Sequence, residues 1–180
     1  QVPTLPSAKV LHDALAAALR RLKELQNPGD GGWGFWKPDE PSWPYLTIHV
    51  LHALARAKEK GYPVDAAMLA PAHTYVTSVE KRIPDWYSPE SRRALVAYAL
   101  FARARLGDHD VARARGLLRE SGGVPAIGAA GLSFEAAGWL YPTLRRAKDA
   151  GANTDATELR RLLGNRVVET AGAAHFASSY

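Results

Sequence analysis

The side chains able to do chemistry are few and scattered. His49 and His52 stand three apart and share a face if their segment is a helix. Such a pair can bind a metal when a third histidine or a carboxylate joins it. The flanking sequence supplies neither, so structural, hydrogen-bonded histidines are expected. His12, His73 and His109 are isolated and read as surface or capping residues. Asp30, Asp39 and Glu40 cluster in a loop, where acids usually serve turns and caps. No glycine-rich phosphate loop joins a strand to a helix, and no G-x-S-x-G nucleophile elbow occurs. The D-x-D-D acid motif of terpene-protonating helical barrels is missing too. The chain has no cysteine, which excludes disulfides, cysteine-bound zinc and thiol catalysis within it. The sequence therefore predicts no catalytic residue, no cofactor and no metal.

One stretch remains that invites a functional reading. Gln26 to Trp43 reads QNPGDGGWGFWKPDEPSW and gathers four glycines and three prolines around Trp33, Phe35, Trp36 and Trp43. Loops are usually polar because their backbone prefers water. Rings this numerous have to be placed somewhere, either over the end of a helical core or around a ligand. The plug is the favoured reading, with an interface or ligand pocket as the alternative.

These residues must be held by helices. Alanine and leucine abound and β-branched runs are scarce, so an all-α protein is expected. With 180 residues, 47% of them hydrophobic, a single helical domain spanning 1–180 is expected. A first helix is predicted from Ser7 to Gln26, with Leu11, Leu15, Ala18, Leu22 and Leu25 in one stripe. A second runs from Pro44 to Lys60 and is apolar on more than one face. A third starts at an Asp65 cap and continues to Lys81. Ser88 and Pro89 open a fourth, whose centre ALVAYALFA is apolar all round. A fifth follows Asp110, and a sixth spans Ser133 to Ala150 with Pro142 inside it. A seventh is capped by Thr154 or Asp155. Residues 164–180 lack a clear period and read as an extended tail or short hairpin.

The order hides a repeat. LHALARAKEKGYPVD, ALFARARLGDHD and LYPTLRRAKDAGANTD each run from apolar residues through a basic end to a glycine and an acidic restart. The glycines are Gly61, Gly107 and Gly151. Stacked helical hairpins with an inner and an outer layer fit this plan. About seven helices make too few for a six-hairpin ring, so a partial α/α toroid is expected.

The formal net charge is +5, carried mostly by arginine. Arg103, Arg105, Arg113 and Arg115 are the densest group and read as solvated surface, with an anionic partner as the alternative. Basic residues spread over several helices do not point to nucleic acid. No apolar run approaches the ~18 residues of a membrane span. Gln1-Val2-Pro3 lacks a basic region followed by an apolar stretch, so no signal peptide is expected in this chain.

The run QNPGDGGWGFW, followed by PYLTIHVLHALARAKEKGYPV, closely resembles the thioester-domain region of bacterial alpha-2-macroglobulins. NRVVETAGAAHF, Asn165 to Phe176, resembles another stretch of the same proteins at a fitting distance. The first block by itself also resembles the Gln-Gly-Trp repeat of terpene cyclases, which are toroids as well. The macroglobulin resemblance implies an α/α toroid set in a large periplasmic or extracellular protein of mainly β-sandwich domains. It implies a protease trap in which bait cleavage exposes a Cys–Gln thioester. The thioester motif, Cys-x-Glu-Gln, lies upstream of the first helix in that family, and nothing of it maps onto a residue present here. Complement-type relatives carry an assisting histidine after the third helix. Glu80 to Ser88 contains none, and His73 on the preceding helix is a poor substitute.

The resemblance thus predicts a non-enzymatic scaffold fragment. Its partners would be the other domains of the parent and, through them, proteases. A dimer of the isolated fragment is expected if apolar helix faces stay uncovered. An α/α toroid enzyme of terpene-cyclase type and a helical-repeat interaction module remain as alternatives.

Overall fold

The computed structural model describes residues 5–129 and 131–176. The chain start at Gln1-Val2-Pro3 and the last four residues of the expected tail lie outside them. Among the described residues the fold is all-α but for a small hairpin. The elements are α1 (Ala8–Leu25), α2 (Pro44–Glu59), α3 (Ala66–Thr77), α4 (Pro89–Ala104), α5 (Val111–Glu120), α6 (Phe134–Arg145) and α7 (Ala150–Gly164). Strands β1 (Val167–Thr170) and β2 (Ala173–Phe176) follow. The chain forms two compact units, Gln1–Tyr75 and Val76–Tyr180.

In the first unit, α1 begins where Ser7 Oγ accepts the Val10 N–H at 3.3 Å. Its leucine stripe forms as predicted and is covered only in part, with Leu15, Leu22 and Leu25 half-buried. No residue of α1 is buried, and Leu11 is 55% exposed. α2 opens with Pro44 at its first position, where a missing N–H costs nothing. It buries Thr47, Ile48, Val50, Leu51, Leu54 and Ala55, more than one face, as its composition predicts. Asp65 caps α3 by accepting the Ala67 N–H at 2.8 Å.

In the second unit α4 is the inner helix. Leu95 to Leu100 are all buried, matching the all-round apolar run. Tyr98 stacks on Trp139 of α6 with centroids 4.4 Å apart. α5 contributes Ala114, Leu117 and Leu118, and α7 contributes Ala152, Ala156 and Leu159. α3 stops at Thr77 and a separate 3-10 turn covers Val79–Lys81, where one continuous helix was expected.

The glycine punctuation needs one correction. Gly61 (φ 81) and Gly107 (φ 90) do end helices. Each sits one residue before an N–H that reaches back five residues, Tyr62 to the Ala57 carbonyl and Asp108 to that of Arg103. Gly151 is no stop. It is the second residue of α7, and the cap is Asp149, whose Oδ1 accepts the Ala152 N–H at 2.7 Å. Neither Thr154 nor Asp155 caps. The third closing glycine is Gly122 (φ 86), after α5, where the Gly123 N–H reaches the Leu118 carbonyl. α6 ends at Arg145 without a glycine.

The predicted tail becomes a hairpin in antiparallel register, Val167 opposite Phe176 and Thr170 opposite Ala173. Gly172 (φ 86) supplies the left-handed turn position.

Candidate functional site

The aromatic loop is a tightly bonded unit, and its bonding explains where each ring goes. Gln26 and Trp33 face each other in a single antiparallel bridge. The Gln26 side-chain amide donates to the carbonyls of Gly31 (2.8 Å) and Met68 (2.9 Å). Asn27 organises the first turn: its Oδ1 accepts from Gly29 N–H (2.7 Å) and Asp30 N–H (3.2 Å). Its Nδ2 donates to the Glu40 carbonyl across the loop at 2.9 Å. Asp30 Oδ1 accepts from Gly32 N–H (2.9 Å) and Ser42 Oγ (2.7 Å). Glu40 Oε1 accepts the Trp36 N–H and the Lys37 N–H, the latter at 3.3 Å.

The glycines are there for space. A Cβ on Gly31 would lie 2.5 Å from Pro71 Cβ, and the residue also needs φ 79. One on Gly32 would meet Ser42 at 2.6 Å and the Thr47 hydroxyl at 2.8 Å.

This framework separates the four predicted aromatic residues. Trp33 points inward and is 2% exposed. Its Nε1 donates to the Leu22 carbonyl (2.8 Å), its backbone N–H to Thr47 Oγ1 (3.0 Å), and its carbonyl accepts from the Trp43 N–H (2.8 Å). Every polar group named here is satisfied, which is what lets an indole sit this deep. Trp36 points outward and is 80% exposed. Phe35 is 56% exposed and meets the half-buried Trp43 edge-on at 5.2 Å. Tyr45 is 54% exposed and stacks on His49 at 6.1 Å. Tyr45 and His49 thus extend the display. The signal for Tyr45 was the W-P-Y run at the helix start, which the loop boundary at Trp43 cut off.

Two of the three acids predicted to serve turns do so: Asp30 and Glu40 spend carboxylate oxygens on loop backbone. His49 lies exposed and His52 half-buried on α2. His12 packs against the Tyr62 ring at 5.3 Å. Among the described residues no three His, Asp or Glu side chains come together as a metal site would require.

The arginine group is not the solvated patch that its density predicted. Arg103 is buried and holds Asp108 (2.8 and 3.2 Å) and Asp110 (3.4 Å), tying the end of α4 to the cap of α5. Arg113 grips Glu80 with two bonds (2.7 and 2.9 Å) and Glu120 with its other nitrogen. The Glu80 hydrogen bonds are the main reason its guanidinium is held still more firmly protonated than usual. Arg115 reaches Asp155 (2.8 Å) and Asp149 (3.2 Å), and Arg105 lies over the Phe101 ring at 5.3 Å. Their acids lie 5 to 40 residues away in sequence, so the neutralisation is invisible in the local run.

No family model matches the sequence, and no curated protein matches it. Solved structures do. A C-terminal span of native alpha-2-macroglobulin from Escherichia coli superposes with a TM-score of 0.72 at 19% identity, over 89% of this chain and 25% of that one. Trypsin-activated alpha-2-macroglobulin from Escherichia coli gives 0.71 at 20% identity, over 88% and 11%. Salmonella alpha-2-macroglobulin reacted with methylamine gives 0.69 at 20% identity, over 91% and 10%. The chain has the fold of a helical part of these proteins and spans a tenth to a quarter of their length.

Proposed function

We propose that the chain is part of the thioester-bearing α/α toroid of a bacterial alpha-2-macroglobulin-like protease trap, and acts there as a scaffold with no chemistry of its own. The observation that carries this reading is the fold likeness over 88–91% of the chain. The QNPGDGGWGFW and NRVVETAGAAHF blocks support it from the sequence side. Without cysteine the chain cannot itself form a Cys–Gln thioester.

The outward aromatic rings fit a docking role. Phe35, Trp36 and Trp43 stand on a loop whose backbone is already ordered, so binding costs little further entropy. Their partner would be another domain of the parent, and proteases would be met only through that parent. The same reading places the protein in the periplasm or outside the cell. It is favoured over a terpene-cyclase-type enzyme because Asp30 and Glu40 are committed to the loop backbone.

The test uses the whole parent reading frame. Incubated with trypsin, the parent is expected to retain the protease. With labelled methylamine it is expected to take up label at a Cys-x-Glu-Gln segment and not within these 180 residues. A parent that neither holds nor inhibits any protease would falsify the reading.

A further inference from the structure

Phe35 and Trp36 are displayed at the tip of the aromatic loop, and little packing holds Trp36 where it stands. The direction of its ring is therefore set by the backbone of residues 34–40. One side chain closes that stretch. Glu40 folds back across Gly34, and its Oε1 takes both the Trp36 and the Lys37 N–H. A Cβ on Gly34 would run into Cγ, Cδ and Oε1 of Glu40, so the glycine is the space in which the carboxylate lies. The Glu40 backbone is fixed in turn, its carbonyl accepting from Asn27 Nδ2 at 2.9 Å. Asn27 stands on the opposite leg of the loop and is itself held by Gly29 and Asp30 N–H.

The other ordering bonds of the loop act nearer its base. Trp33 is tied to Leu22, Thr47 and Trp43, and the Asp30 carboxylate serves Gly32 and Ser42. At the tip Pro38 has no N–H, and the two N–H groups before it both go to one charged oxygen. Successive backbone donors converging on an anion make a nest, and a charged acceptor there bonds more strongly than a neutral one. Without the acceptor these donors turn to water and the backbone of 34–40 regains its freedom. A ring that must dock loses that freedom on contact, which weakens binding.

We propose that Glu40 is the positioning residue of the aromatic docking surface. Its carboxylate, lying over Gly34, fixes the backbone of 35–37 and so presents Phe35 and Trp36 before any partner arrives. This rests on the docking role given to those rings above.

Two measurements test it. In the 180-residue chain, amide hydrogen exchange followed by NMR is expected to show Trp36 and Lys37 protected. Glu40→Ala and Gly34→Ala should each speed exchange at both amides about tenfold, the second by evicting the Glu40 side chain. Glu40→Gln should keep most of the protection, because its amide oxygen still accepts. The α2 amides and the urea midpoint should hardly move in any of the three. In the whole parent, limited proteolysis follows release of the helical part uncut within the loop, with the double variant Phe35→Ala/Trp36→Ala as reference. Glu40→Ala is expected to speed release as the reference does, and Glu40→Gln to stay near wild type.

A Trp36 amide unprotected in the wild type, or exchanging no faster in Glu40→Ala, overturns the proposal. So does a Glu40→Gln variant that behaves as Glu40→Ala does. If the reference speeds release and Glu40→Ala does not, docking stands and the positioning role falls. If the reference itself changes nothing, the docking role fails and takes the positioning role with it.

Discussion

Trp33 and Trp36 lie three positions apart and have opposite roles. Trp33 is enclosed and its Nε1 is satisfied by the Leu22 carbonyl, so Trp33→Ala removes a large packed side chain and leaves that carbonyl unpaired, while the backbone bond to Thr47 stays. A loss of about 3–5 kcal/mol in urea unfolding is expected. Trp36 touches mainly water, and Trp36→Ala should change stability by no more than about 0.5 kcal/mol. Both residues were picked out by type, and only packing separates them. Asp65 offers a pH test. Its hydrogen bond to Lys23, foremost, and one from the Ala67 N–H hold its carboxyl below the ordinary 3.8. A depressed folded-state value means the stabilisation is in place above pH 3.8 and is lost as pH falls through that lower value. Asp65→Asn keeps the cap and removes the charge. Its melting temperature should lie below wild type at neutral pH and converge with it in strong acid. A gap that persists undiminished at low pH would count against the Lys23 pairing.

Several helix starts were legible from local chemistry, though Asp149, which caps α7 through the same kind of bond, was not picked out. Ser7, Ser88 and Asp110 cap as their sequence context indicates, because an N-cap is a bond between residues three apart. Gly151 misled because its role is set from a distance. The Arg115 guanidinium lies across it, and a Cβ there would approach Arg115 Nη2 to 2.4 Å. Two alanine substitutions tell these glycines apart. Gly107→Ala forces a side chain into φ 90 with open space around it and should cost about 1–2 kcal/mol. Gly151→Ala displaces only the end of a flexible arginine. The helix-propensity gain of about 1 kcal/mol roughly offsets the weakened ion pairs, for a net change near zero. Equal losses at the two sites, measured by chemical denaturation, would refute that assignment. The hairpin was expected only as one of two forms of the tail. Every described side chain on it is exposed, so no buried alternation marked its strands in the sequence.

For the whole molecule, the outward aromatic surface is the feature that matters if the chain works inside a larger one. Replacing Phe35 and Trp36 together by alanine in the parent should leave the helical fold intact while loosening its docking. Limited proteolysis would then release the helical part faster than from wild type, and an unchanged cleavage rate would place the interface elsewhere. Class, helix number and most caps followed from composition, period and nearest-neighbour chemistry, all of which act within a turn or two of chain. The family blocks likewise needed only residue order. Which tryptophan is buried, which glycine ends a helix, and which arginines are neutralised depended on groups up to 40 residues away. Burial and ion pairing are settled by what folding brings alongside a side chain, and a linear sequence does not carry that proximity.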